Sequence, residues 1–169
     1  MLLLVALSTG ACGQKPTGKE LTMTAYDRML SVLYKQTVPT VRPASLATTL
    51  RQAPTSVLLL DTRTPAEYQV SHLQGAQLVD FDSFKATDFQ DVPRTRPVVV
   101  YCSVGARSEQ VGAQLRALGF QNVQNLYGGI FQWVNDGLPV YNSQGVTTKV
   151  HPYSVLWRPW LKSGTAAYE

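Results

Sequence analysis

Two runs along the chain, Val57–Leu60 and Pro97–Tyr101, are continuously apolar rather than alternating. A strand has this pattern when both of its faces are covered, as in a parallel sheet between layers of helix. The first run ends in Asp61 and the second in Cys102. Elsewhere the spacing is helical. Leu21, Met23, Tyr26, Met29, Leu30, Leu33 and Tyr34 predict a helix within residues 20–37, with Thr22 or Thr24 as its N-cap. A short extended piece, Val38–Val41, precedes a second helix capped by Ser45, running to about Ala53 and closed by Pro54. Thr64-Pro65 opens a short helix through Val70, with proline where its missing N–H is harmless. Gln77–Val79 is a candidate strand, and residues 80–91 a loop with one helical turn. Ala106–Leu118 forms an amphipathic helix with Val111, Leu115 and Leu118 on one face, ended by Gly119. Val123–Leu126 is a further strand, and Ile130–Asn135 a last short helix after Gly128-Gly129. Repeated strand–helix units of this length predict an α/β fold: a central parallel sheet with helices on both faces.

Composition narrows the function. The chain has 169 residues, of which 44% are hydrophobic and 15% charged, enough to bury one core. The net charge of +4 does not form a basic stripe. Residues 13–36 and 142–169 each carry an excess of two basic groups, and residues 37–141 balance with eight of each sign. A surface that tracks nucleic-acid phosphates needs its charges clustered on one element, so nucleic acid is not an expected partner. Two cysteines exclude a disulfide-stapled scaffold, and no grouping of them with His72 and His151 has metal-ligand spacing. The hydrophobic runs are too short to span a bilayer.

The N-terminus has a different character. Met1–Ala11 is an apolar run followed by small residues, ending before Cys12, and resembles the export signal of a bacterial lipoprotein. That resemblance implies lipidation of Cys12, a polar tether over residues 12–19, and an exported, periplasmic or cell-envelope location. The lipid anchor would be the only membrane contact.

Candidate chemistry lies at the end of the second buried strand. Cys102 is followed by Ser103, Val104, Gly105, Ala106, Arg107 and Ser108, a stretch of mostly small residues leading into a helix. Ligands bind at the carboxyl ends of strands in open α/β sheets. A tight glycine-containing loop can turn successive N–H groups toward the sulfur. The helix N-terminus and Arg107 add positive charge, and all three favour a thiolate nucleophile.

Three stretches carry a resemblance to a known family. They are Asp61-Thr62-Arg63 with Glu67-Tyr68 and Ser71-His72-Leu73-Gln74-Gly75-Ala76; Tyr101–Ser108; and Gly119-Phe120 through Leu126-Tyr127-Gly128-Gly129-Ile130, Trp133 and Gly137-Leu138-Pro139-Val140. Together they resemble a single-domain rhodanese-like sulfurtransferase of the exported bacterial type. The resemblance implies a domain over 38–141, with 20–37 and 142–169 as an N-terminal helix and a C-terminal extension. It implies that Cys102 takes a sulfane sulfur from a small anionic donor such as thiosulfate, and that a thiol or cyanide removes it. Ser103, Val104, Gly105, Ala106, Arg107 and Ser108 would bind substrate, with Arg107 holding the anion. Asp61, Arg63, Glu67 and His72 would be structural support behind the loop. No cofactor and no metal are implied.

Other chemistries fit less well. A phosphatase or arsenate reductase on such a fold needs its arginine six positions after the cysteine, and here that position is Ser108. A dithiol redox protein needs a resolving cysteine near Cys102, and only Cys12 exists. A non-enzymatic sulfur-carrier or interaction module is the remaining alternative.

Overall fold

The computed structural model describes residues 23–169. The apolar leader, Cys12, the tether expected at 12–19 and the first residues of the expected N-terminal helix lie outside them. Five strands form one parallel sheet: β1 (Thr40–Val41), β2 (Leu58–Asp61), β3 (Gln77–Leu78), β4 (Val98–Tyr101) and β5 (Val123–Leu126). Their spatial order is β1-β5-β4-β2-β3, which puts β4 at the centre. Every residue of β2 and β4 is buried, and successive side chains enter different cores. Leu59, Val99, Tyr101 and Leu126 join one core, and Leu58, Leu60, Val98, Val100 and Val123 the other. The α/β fold class is therefore as expected, with the continuous apolar runs explained by two covered faces.

The helices are α1 (Ala25–Leu33), α2 (Pro43–Gln52), α3 (Pro65–Val70), α4 (Ala106–Ala117) and α5 (Gly129–Asn135). The first core is roofed by Tyr26 and Leu30 of α1, Leu46 and Ala47 of α2, and Ile130, Phe131, Trp133 and Val134 of α5. The second is closed by Val111 and Leu115 of α4 with Phe89 and Phe120. Thr24 and Asp27 form a reciprocal capping box on α1, as Thr64 and Glu67 do on α3.

Four boundaries depart from the expected ones. α1 stops at Leu33 because Tyr34 turns extended, and the following backbone N–H groups of Lys35 and Thr37 donate to Glu109 at 2.9 and 2.7 Å. α2 begins at Pro43 rather than after Ser45; the fixed φ of proline starts the helix without a side-chain cap from Arg42. Residues 80–91 hold two 3₁₀ turns, Phe81–Ser83 and Ala86–Phe89, instead of one helical turn. Of the extended piece Val38–Val41, only Thr40 and Val41 pair in the sheet.

The C-terminal extension folds back on the domain. β6 (Val140–Asn142) and β7 (Gly145–Thr147) make a hairpin, and β8 (Lys149–Val150) pairs in parallel with β9 (Thr165–Ala166). Val150 is fully buried in the first core, where Trp157, Trp160 and Leu161 pack as well. Asn135 at the end of α5 clasps the segment: its amide donates to Trp160 O at 2.9 Å and its carbonyl accepts from Lys162 N and Ser163 N at 2.8 and 3.0 Å.

Candidate active site

The loop after β4 takes its shape from bonds to its carbonyl groups. Ile130 N donates to Cys102 O at 2.9 Å and Phe131 N to Ser103 O at 3.1 Å, so the first turn of α5 rests on the loop. Gly129 makes that approach possible: it has φ +58°, and a Cβ there would lie 2.6 Å from Ser103 O. The Tyr34 hydroxyl donates to Val104 O at 2.8 Å and accepts from Gly128 N at 2.9 Å. Burial pushes the Tyr34 phenol well above its ordinary range, which keeps its proton for that bond. Asn125 Nδ2 donates to Gly105 O at 2.9 Å. Four consecutive carbonyls, 102 to 105, are thus bonded to groups outside the loop. A loop whose carbonyls are held in this way can present its N–H groups on the opposite side, as an anion-binding nest does. Gly105 N donates to Cys102 Sγ at 3.1 Å, from a residue at φ +102° that immediately precedes α4.

Behind the loop lies a charge network, and it involves Arg107 more than the sequence suggests. The Arg107 guanidinium forks onto the nearly buried Glu67 carboxylate, with Nη1 2.9 Å from Oε2 and Nη2 2.8 Å from Oε1. Ser103 Oγ donates to the same carboxylate at 2.8 Å. Burial raises the Glu67 carboxyl, but the Arg107 hydrogen bonds and charge outweigh it and bring the pKa down to about 2. Burial likewise works against the Arg107 charge, and Glu67 more than restores it. Arg107, expected to hold an anionic donor, lines the pocket over the sulfur while its fork is engaged by Glu67. The reading of Ser108 as a substrate-binding residue is corrected. Ser108 is fully buried and donates to Asn125 Oδ1 at 2.8 Å, supporting the side chain that holds Gly105 O rather than facing a substrate.

Asp61 and Arg63 form a second, fully buried pair at 2.7 Å, and Arg63 Nη2 also donates to Ser71 O at 2.5 Å. His72 stacks on Tyr68 with centroids 3.9 Å apart, and its backbone bridges to Tyr141. Neither pair touches the pocket over the sulfur. That pocket, of about 190 Å³, is lined by Cys102, Ser103, Val104, Ala106 and Arg107, and by Tyr153 and Trp157 of the C-terminal extension. The Tyr153 ring lies over the Arg107 guanidinium, 4.5 Å from its centre. Tyr34, Asn125, Tyr153 and Trp157 join the site as well, each reaching the loop from a distant part of the chain that no local motif marks. Among the described residues no group of three or more His, Cys, Asp or Glu could hold a metal ion. None of their helices is long and apolar enough to cross a membrane.

Comparison with known proteins agrees with this architecture. Residues 43–136 match the rhodanese-like domain. A sulfurtransferase from Allochromatium vinosum is 39% identical over 89 residues, covering 53% of this chain and 82% of that protein. A tRNA uridine(34) hydroxylase from Pectobacterium atrosepticum is 31% identical over 118 residues, 60% of this chain but only 33% of that protein. In the solved structures, the rhodanese-like domain of the Alr3790 protein from Anabaena sp. shares the fold, with a TM-score of 0.56, 24% identity, and coverage of 62% of this chain and 79% of that one. A parallel sheet of this order, a cysteine directly after its central strand and a family match over more than half of the sequence have one meaning: the chain belongs to the rhodanese-like domain family and has sulfurtransferases among its homologues.

Proposed function

We propose that the protein is a thiosulfate-type sulfurtransferase that carries sulfur as a persulfide on Cys102. The observation that carries this reading is the geometry at the sulfur: Sγ accepts the Gly105 N–H at 3.1 Å in the turn that opens α4, and it borders a small pocket. The Cys102 thiolate attacks the outer sulfur of thiosulfate, the S–S bond of the donor breaks, and sulfite leaves with the electron pair. The outer sulfur of the new persulfide carries the negative charge, which the loop N–H groups and the start of α4 stabilise. An acceptor thiolate or cyanide then attacks that sulfur, giving a new persulfide or thiocyanate and freeing the Cys102 thiolate. Both halves balance in charge and need no oxidant, reductant or general base. With its fork held by Glu67, Arg107 acts mainly by shaping the loop. We also propose, from the apolar run and small residues before Cys12, that the protein works outside the cytoplasm on a lipid anchor.

The test is intact mass spectrometry after incubation with thiosulfate, followed by turnover with cyanide. Wild type should gain one sulfur atom at Cys102 and release thiocyanate, while Cys102→Ser should fold and do neither. Sulfur loading that survives Cys102→Ser would reject the assignment, and a folded wild type that never loads would favour a non-enzymatic module.

A further inference from the structure

We propose that the C-terminal extension selects the sulfur acceptor: Tyr153 and Trp157 wall the pocket so that Cys102 passes its sulfur to a small thiol or cyanide and not to a cysteine on the surface of a folded protein. This deepens the sulfur-transfer reading above and rests on it.

The pocket over Cys102 measures about 190 Å³. Sites for drug-sized ligands run from about 300 to 1,000 Å³, so this one admits only a slim molecule. Cys102 itself is 1% exposed, and an acceptor must reach inward to touch the outer sulfur. A thiol on a folded surface carries its own backbone and neighbouring side chains, which the wall would meet first.

The wall is held in place from several sides. Val150 is fully buried in the core, β8 pairs with β9, and Trp160 lies 5.7 Å from Tyr26 of α1, ring to ring. Tyr153 is set by a sharp turn at φ +63°, uncommon for a bulky residue, with its N–H donating to His151 Nδ1 at 3.0 Å. The turn keeps the ring over Arg107, which Glu67 fixes from the other side. Loop, arginine and tyrosine therefore form one stack beside the sulfur. Neither Tyr153 nor Trp157 is bonded to the Gly105 N–H, which donates to Cys102 Sγ, so the two rings govern access and not the transfer itself.

The transfer step fixes what must enter. The acceptor thiolate forms a bond to the outer sulfur as the Cys102 Sγ–S bond breaks, and the electron pair returns to Sγ. Attack must come in line with the breaking bond, so the acceptor approaches through the pocket mouth.

Wild type and Tyr153→Gly would be loaded with thiosulfate, checked by intact mass, and offered either cyanide or a folded carrier protein with one engineered surface cysteine. Glycine suits the positive φ, so this variant should fold; Trp157→Ala gives a second opening of the wall. The ratio of carrier rate to cyanide rate should rise about tenfold or more in either variant, the discrimination typical of a steric pocket. In parallel, sulfur-free protein would be alkylated with iodoacetamide or with a maleimide on a polyethylene glycol chain, each rate normalised to free cysteine. Wild type should react far more slowly with the bulky reagent, and the variants should narrow that gap. An unchanged ratio in both folded variants, or equal normalised rates in wild type, would overturn the proposal. The alkylation arm needs no persulfide, so absence of loading counts against the sulfur-transfer reading while the wall is still measured.

Discussion

Arg107 and Glu67 meet through two parallel hydrogen bonds of 2.9 and 2.8 Å, joining the first turn of α4 to the first turn of α3. The two partners are not equivalent, since the Glu67 side chain is 1% exposed and that of Arg107 19%. Removing the arginine strands a charge that water cannot reach. Arg107→Met should therefore cost about 3 kcal/mol of stability. Glu67→Gln should cost less, because the freed guanidinium can turn outward. Urea denaturation at neutral pH measures both; equal small losses would mean that the pair adds little to the fold.

The same carboxylate should shape the acid limb of stability. With burial opposing it, Arg107 still holds the Glu67 pKa at about 2, below the ordinary 4.5. A depressed folded pKa adds stability that is fully present above the unfolded value and is lost as pH falls through the folded one. The urea midpoint of wild type should therefore drop between pH 4.5 and 2, and the drop should be shallower in Glu67→Gln. Parallel profiles for the two proteins would remove Glu67 from the account.

A third expectation concerns the brace from the N-terminal side. Tyr34→Phe deletes one hydroxyl that both donates to Val104 O and accepts from Gly128 N. Leaving those partly buried groups without a partner should cost about 1–3 kcal/mol. Turnover should fall further than stability alone explains, because Val104 O is one of the four carbonyls that orient the loop. Melting temperature and the rate at saturating donor separate the two effects, and a stable, fully active variant would show that the other three bonds suffice.

The parts of this structure visible in the sequence are those encoded within a few residues. β2 and β4 declare themselves by continuous apolar runs, and Gly105 with its small neighbours announces a tight loop after Cys102. Thr64-Pro65 announces the start of α3 locally, and the choice between Thr22 and Thr24 for α1 falls on Thr24, whose hydroxyl accepts from Asp27 N. What was hidden depends on distant partners. Arg107 looks like a free cation until Glu67, 40 residues earlier, is brought beside it. Ser108 looks like a loop ligand until α4 turns it toward Asn125 on β5. Tyr153 and Trp157 lie in a segment whose apolar residues have no periodic pattern, and only the fold-back over α5 gives them a place at the pocket.

The proposed anchor has a direct readout. Cys12→Ala should move the protein from the membrane fraction to the soluble fraction of the producing cell, with sulfur transfer by the purified protein unchanged. Wild type recovered unprocessed and soluble from the cytoplasm would refute export.

The clasp at Asn135 limits how portable the pocket wall is. Its two polar ends are met by Trp160, Lys162 and Ser163, and the chain then passes so close to α5 that a Cβ on Gly164 would lie 3.0 Å from Val134 Cγ1. Residues 142–169 therefore do not behave as a cassette that can be spliced onto any relative. A host lacking an amide at the end of this helix would have to hold the segment by the burial of Val150, Trp157 and Trp160 and by the β8–β9 pairing alone, with three fewer hydrogen bonds.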